Sequence, residues 1–157
     1  MEENFDTQFN CLVVCTAGQS SRMTRKFLRK LYEDYNLRSG IFTDADAFGF
    51  RIAASIVTGS IKTSHISDLL CVPGSVHIGL FPSQIEKYDI PTDKITQIER
   101  ENLKIMIEDP KFKKWTPEIE LMLKSGKKSE QQAFSYYGLD YVTKTYLPEV
   151  LKHYNFI

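Results

Sequence analysis

Ile41-Phe42-Thr43-Asp44-Ala45-Asp46-Ala47-Phe48-Gly49 is the stretch on which the reading of this chain turns. A short apolar run, rich in β-formers, ends in two acidic residues spaced i, i+2, and a small-residue turn follows. Residues i and i+2 of a strand point to the same side, so Asp44 and Asp46 set two carboxylates close together at a strand end. Like charges so placed repel, and each raises the pKa of the other. A divalent cation removes that penalty, and hard oxygen ligands suit Mg²⁺. The pair reads equally as a loop start or a helix cap, since Asp favours both.

Outward from this stretch the first half of the chain alternates. Leu12-Val13-Val14-Cys15-Thr16 is a strand candidate closed by Ala17-Gly18-Gln19. Ser20 or Ser21 then caps a helix running to about Asn36. Its residues Met23, Phe27, Leu31 and Tyr35 recur every four positions and predict one buried stripe. A second strand at Ile41-Phe42-Thr43 leads into a helix from Ala47 to about Val57, with Phe48, Ile52, Ile56 and Val57 inward. Strand–helix–strand–helix order predicts a mostly parallel sheet covered by helices. Functional residues of such a fold belong at the carboxyl ends of the strands, which is where the aspartates lie. Leu69-Leu70-Cys71-Val72 and Val76-His77-Ile78-Gly79-Leu80 are further strand candidates, and Ser83 is a plausible cap after Phe81-Pro82. Beyond Pro91, residues 96–108, 116–125, 128–137 and 139–153 read as helices, punctuated by Asp109-Pro110, Ser125-Gly126 and Gly138. The class is α/β, one domain with a helical C-terminal part.

At 157 residues, 42% apolar and 25% charged, the chain has the length and composition of one globular domain with its own core. Its formal net charge is zero, so only the local placement of charge can attract a polyanion. Cys11, Cys15 and Cys71 are odd in number and sit in or near apolar runs; they predict reduced core thiols rather than disulfides. No apolar run approaches the ~20 residues that span a bilayer, and the acidic start Met-Glu-Glu-Asn-Phe-Asp argues against a leader peptide.

Five cations, Arg22, Arg25, Lys26, Arg29 and Lys30, fall within nine residues of the first long helix. They read either as a solvated helix face or as a patch that tracks phosphates. The helix start at Gly18-Gln19-Ser20 also offers free N–H groups to an anion. His65, His77 and His153 are too scattered for a zinc site and read as structural. Tyr136-Tyr137 has no adjacent cation cluster to activate a phenol and reads as packing and interface residues. Neither a Gly-rich phosphate loop nor a Ser-His-Asp or Cys-x-x-Cys motif is present.

With these residues assembled, the chain resembles the Toprim domain of the topoisomerase VI A-subunit family, which includes the eukaryotic protein that makes meiotic double-strand breaks. The resemblance runs from about Asn10 to Leu151, leaving 1–9 and 152–157 as terminal segments. Gly18-Gln19 with Ser21-Arg22-Met23-Thr24-Arg25-Lys26-Phe27 is similar to the family's basic segment. Thr43-Asp44-Ala45-Asp46-Ala47-Phe48-Gly49 is similar to its Asp-x-Asp motif, with Ala47 where proline is usual. Gly79-Leu80-Phe81-Pro82-Ser83, Lys127-Lys128-Ser129-Glu130-Gln131-Gln132-Ala133, Asp140-Tyr141 and Tyr146-Leu147-Pro148 follow in the family's order. Ala45 and the Gly-Leu-Phe-Pro-Ser run look more like the eukaryotic branch.

The resemblance implies a Toprim-like, Rossmann-like fold and a type IIB topoisomerase or DNA transesterase. In that family a tyrosine on a winged-helix domain attacks DNA and is left linked to the 5′ end. It implies Asp44 and Asp46 as ligands of Mg²⁺, and Arg22, Arg25, Lys26 and Arg29 as DNA contacts. The implied partners are DNA, a second copy in a homodimer and a topoisomerase VI B-like ATPase subunit, with no membrane. The implied location is the nucleus, or the cytoplasm and nucleoid for an archaeal source. The family's nucleophilic tyrosine domain and its first Toprim strand, which carries a metal-binding glutamate, have no counterpart here; Glu2 and Glu3 are poor substitutes. The expectation is a chain with two of three ligands and no cleavage activity of its own. The alternative is a non-catalytic dimerisation or partner-docking module, with Trp115, Phe134, Tyr137, Tyr141 and Tyr146 as its surface.

Overall fold

The computed structural model describes residues 4–59, 70–72, 74–138 and 140–157. Its organising unit is a strand, a buried helix and a second, parallel strand. β1 (Ser39–Phe42) runs beside β2 (Ser75–Gly79) with Ser39 opposite Ser75 and Ile41 opposite His77. The register shifts between Ile41 and Phe42. The pairing nevertheless continues past the strand, because Thr43 N–H donates to Gly79 O at 2.8 Å and Leu80 N–H donates to Thr43 O at 2.6 Å. The backbone leading into the aspartates is therefore held on a sheet edge.

The helix between these strands explains why the site is rigid. α3 (Ala47–Val57) buries Ala47, Gly49, Phe50, Ala53, Ala54, Ser55 and Ile56. Small residues on several sides let the backbone pack closely against neighbours. Phe48, expected inside, is 65% exposed, and Phe50 takes the core position. Ile56 belongs to the core as expected, and Ile52 and Val57 pack at its margin.

α1 (Phe5–Gln8) is one short turn, and α2 (Arg22–Tyr35) begins at the N-cap Ser21, whose Oγ accepts from Thr24 N–H. The apolar stripe expected on α2 is rotated. Met23, Phe27 and Tyr35 are exposed, whereas Arg25 is buried and Leu28 and Tyr32 pack at the core. Residues spaced by four advance 400° around a helix, so such a stripe drifts about 40° per step. The packing partner then chooses which part of it is covered.

The expected strand at Leu12–Thr16 does not form. The segment lies outside any sheet, with Leu12, Val13 and Val14 exposed. A strand exists only by pairing, and among the described residues this segment pairs with neither β1 nor β2. The cysteines do not lie in the core as expected: Cys11 and Cys15 are exposed and Cys71 is partly buried. Leu70, Cys71 and Val72 are not a strand, although Leu70 and Val72 are buried; Leu69 and His65 lie outside the described residues.

The second half is helical. α4 (Pro82–Lys87) is followed by β3 (Asp93–Lys94) and α5 (Gln97–Glu108). A 3₁₀ segment, Pro110–Trp115, leads into α6 (Thr116–Ser125), which ends at Gly126 in the left-handed conformation (φ 67°). β4 (Lys127–Lys128) pairs antiparallel with β3, so part of the helix expected over 128–137 is extended chain. The remainder is a 3₁₀ helix, Gln131–Tyr137. A π turn at Val142–Tyr146 and α7 (Leu147–His153) complete the chain.

The core joins both halves. Ile41, Phe50, Leu80, Leu103, Trp115, Ile119, Phe134 and Tyr146 are all buried in one cluster. Trp115, Phe134 and Tyr146 are thus packing residues, not the interaction surface of the alternative reading. The N-cap of α4 is Phe81, not Ser83: Phe81 N–H donates to Gln84 Oε1 at 2.8 Å, and Tyr146 OH donates to the same oxygen at 2.8 Å. Among the described residues no helix is long and apolar enough to cross a membrane.

Candidate metal and nucleic-acid site

Asp44 and Asp46 lie between the end of β1 and the start of α3. Burial alternates through the segment: Thr43, Ala45 and Ala47 are buried, and Asp44 and Asp46 are half-buried. Both carboxylates therefore leave the same side of the chain. Asp46 is the N-cap of α3, and its Oδ1 accepts from Gly49 N–H at 2.6 Å. Asp44 Oδ1 accepts from Gln131 N–H at 2.8 Å. Each side chain is thus fixed by one backbone N–H, and its second oxygen has no partner among the described residues.

The electrostatics show what these carboxylates lack. Burial raises the pKa of Asp46, and the nearby Asp44 charge raises it further; the Gly49 N–H and the Lys128 cation oppose the shift. Lys128 is itself tied to Glu99 at 2.7 Å, with both side chains 22% exposed. Among the described residues, the cation that acts on Asp46 is thus shared with a third carboxylate.

A clamp from the far end of the chain holds this loop. Ala45 and Ser129 exchange backbone hydrogen bonds of 2.9 and 3.2 Å in an isolated bridge. Ser129 Oγ donates to Pro91 O at 2.8 Å, and Gln131 Nε2 donates to Phe42 O at 3.0 Å. On the inner side, Thr43 Oγ1 shares a 2.9 Å hydrogen bond with His77 Nε2. Gly49 closes the loop from below: an added Cβ would overlap the Asp44 carbonyl oxygen, so only glycine allows α3 to approach.

Gln131, Ser129, Lys128 and His77 are the residues that sequence reasoning did not connect to the acidic pair. The Lys-Lys-Ser-Glu-Gln-Gln-Ala run was the available signal, but nothing local shows that it crosses 87 positions to reach Asp44.

The cations of α2 divide. Arg22 and Lys26 are exposed, as phosphate contacts require. Arg25 is 5% exposed; its Nη1 donates to Ser55 O at 3.5 Å and its Nε lacks a partner. Burial, and secondarily Arg22, lowers the Arg25 pKa. Arg29 is half-covered, bonded through Nε to Glu33 at 2.6 Å and through Nη1 to Cys71 O at 3.4 Å. Arg25 and Arg29 therefore tie α2 to its neighbours.

A family profile that describes the Toprim domain of the topoisomerase 6 A subunit/Spo11 matches residues 1–151. The chain belongs to this family. The A subunit of type 2 DNA topoisomerase 6 from Archaeoglobus fulgidus is 44% identical over 153 residues, covering 96% of this chain and 42% of that protein. The proteins of the same name from Methanosarcina mazei and Natronomonas pharaonis are 40% and 42% identical, covering 100% and 96% of the chain. The chain spans less than half the length of these relatives, 42–43% of each. A Toprim domain of this family is an α/β unit, and the β1–α3–β2 unit with its flanking helices agrees with that class. The relatives named are archaeal, and they lend no support to the eukaryotic-branch reading of Ala45.

The acidic pair fits a hard divalent ion in part. Two anionic oxygens without partners, held on one side of the backbone, suit Mg²⁺, which commonly takes one or two carboxylates and keeps several waters. Among the described residues no group of three His, Cys, Asp or Glu side chains converges. The pair is a partial ligand set.

Proposed function

We propose that this chain is the metal- and DNA-binding part of the A-type component of a type IIB topoisomerase-like enzyme. The observation that carries the reading is the Asp44/Asp46 arrangement: two half-buried carboxylates at a strand's carboxyl end, each fixed by one backbone N–H, with one oxygen left over. The relatives' name supplies the reaction class. In that setting Mg²⁺ would neutralise phosphate charge and orient the DNA. The chain's own contribution is positioning. Gln131 N–H and Gly49 N–H set the two carboxylates, the Ala45–Ser129 bridge fixes the loop, and Arg22 and Lys26 offer exposed charge to the phosphate backbone. The archaeal relatives favour a cytoplasmic, nucleoid-associated protein over a nuclear, meiotic one. Pairing with a B-type ATPase subunit, homodimer formation and cleavage are proposed for the longer assembly.

DNA binding measured by fluorescence anisotropy across salt tests the reading. Affinity should fall as salt rises, and Arg22→Gln with Lys26→Gln should lower the salt slope by about one per cation removed. An unchanged slope would place the DNA path elsewhere.

A second reading has one observation in its favour. Met23 is 73% exposed and Phe27 47%, on the helix that also carries the basic residues. An apolar stripe left open on an amphipathic helix is what a partner surface presents. Sedimentation over a concentration series, with and without DNA, distinguishes a self-associating module from a monomer that binds DNA.

A further inference from the structure

The acidic loop carries a cation of its own. Ala45 and Ser129 pair antiparallel and exchange both backbone hydrogen bonds, so their neighbours Asp46 and Lys128 stand across from each other. Side chains placed in that way share one face of the ladder and lie close together. The two charges act on each other: Lys128 opposes the rise in the Asp46 pKa, and Asp46 helps to raise that of Lys128. On its other flank Lys128 is opposite Asp93 of β3, which is exposed to water.

Lys128 nevertheless does not rest on Asp46. Its Nζ donates to Glu99 Oε1 at 2.7 Å. Glu99 is held in turn, because its Oε2 accepts from Thr96 N–H at 2.7 Å and closes the capping box of α5. Both oxygens of Glu99 are thus engaged, and the ammonium is tied to the start of α5. Both side chains are 22% exposed, so solvent and salt screen them less than a surface pair. An ammonium has no lone pair to offer a metal ion. Beside the carboxylates it is a rival for the same negative charge, and an anchor on Glu99 limits that rivalry.

Building on the metal-site reading, we propose that the Lys128–Glu99 pair sets the affinity of the acidic loop for its divalent ion: Lys128 competes with the ion for Asp46, and Glu99 restrains it. Neither residue is a ligand; both act through Asp46. The signs follow from charge alone. Removing Lys128 leaves the Glu99 charge unpaired near the loop, and the ion gains. Neutralising Glu99 frees the ammonium toward Asp46, and the ion loses. Removing both charges cancels the two effects.

Isothermal titration with Mg²⁺ of the full chain, Lys128→Met, Glu99→Gln and the double variant reads these signs. Met keeps much of the apolar stem of lysine, and Gln also serves in a capping box, so the fold should survive, as circular dichroism verifies. Lys128→Met should bind Mg²⁺ at least about threefold more tightly, and Glu99→Gln at least about threefold more weakly. The double variant should lie within about twofold of the unmodified chain, as a coupled pair requires. Both shifts should shrink at high salt. In the unmodified chain the Lys128 ¹⁵Nζ signal should move along the Mg²⁺ isotherm, a readout that needs no variant. A pair that only braces the fold would weaken binding in both single variants. That pattern, or unchanged affinity in either one while Asp44→Asn abolishes binding, overturns the proposal and leaves the metal site standing. Absence of Mg²⁺ binding from the unmodified chain contradicts the metal-site reading; the proposal then falls if Lys128→Met also fails to bind, and is supported if binding emerges in that variant.

Discussion

Gly49→Ala sets local propensity against tertiary contact at the acidic loop. Gly49 is the third residue of α3, and Ala there should gain about 1 kcal/mol of helix propensity and reduced unfolded-state freedom. The structure demands the opposite sign. The added Cβ would overlap the Asp44 carbonyl oxygen and lie 2.9 Å from Thr43 Oγ1 and 3.0 Å from the Asp44 carbonyl carbon. Two of these three atoms are backbone, and Thr43 is held by β2 and His77, so no flexible side chain can give way. Overpacking of this kind costs about 1–3 kcal/mol, and a backbone clash belongs at the upper end. Net of the propensity gain, about 2 kcal/mol of stability should be lost. For a chain of this size that lowers Tm by roughly 4–8 °C. The loop must also shift, moving Asp44, so Mg²⁺ affinity should fall in the same variant. Thermal denaturation by circular dichroism, with and without Mg²⁺, reads both effects. A Gly49→Ala protein as stable as wild type, or more so, would refute the close approach of α3 to the loop.

His77 should impose an acid limit on stability. Burial lowers its pKa from 6.5 to about 3, so protonation favours the unfolded chain; the contribution is complete above pH 6.5 and is lost as pH falls toward 3. Between pH 6.5 and about pH 5 this amounts to about 2 kcal/mol; denaturant unfolding of His77→Gln should show a shallower pH slope, and an identical slope would mean that His77 is hydrated in the fold. Gln131→Ala deletes the 3.0 Å bond to Phe42 O and should cost about 1 kcal/mol, detectable as a Tm loss of about 2–4 °C; no loss would show that the clamp does not restrain β1.

What was legible in the sequence was local. The apolar run before Asp44, the small residues after Asp46 and the Ser21 cap are signals carried by neighbours, and β1, α3 and the start of α2 lie where those signals place them. The misses share a cause in long-range contact. Leu12–Thr16 has β-forming composition, but a strand needs a pairing edge that no local pattern supplies. The inward face of α2 is set by Arg25 meeting Ser55 O and by Tyr32 packing at the core, not by the apolar spacing alone. β3 and β4 are two residues each, too short for any periodicity to show. At the candidate site the two aspartates were legible as a pair, and Gln131 was not, because its role depends on chain closure across the domain.

The central claim is that Asp44 and Asp46 together hold a divalent cation. Isothermal titration of the full chain with Mg²⁺ at neutral pH, beside Asp44→Asn and Asp46→Asn, tests it most directly. Asn also serves as an N-cap, so α3 should survive in the Asp46 variant, as circular dichroism can verify. Because the fold raises the Asp46 pKa, protons should compete with Mg²⁺ above the ordinary aspartate range, and affinity should weaken as pH falls through it. The expected result is one saturable site in the wild-type chain, weakened by acid and absent from both variants. An isotherm that survives both substitutions unchanged would reduce the pair to a helix cap and a loop anchor, and would contradict the account.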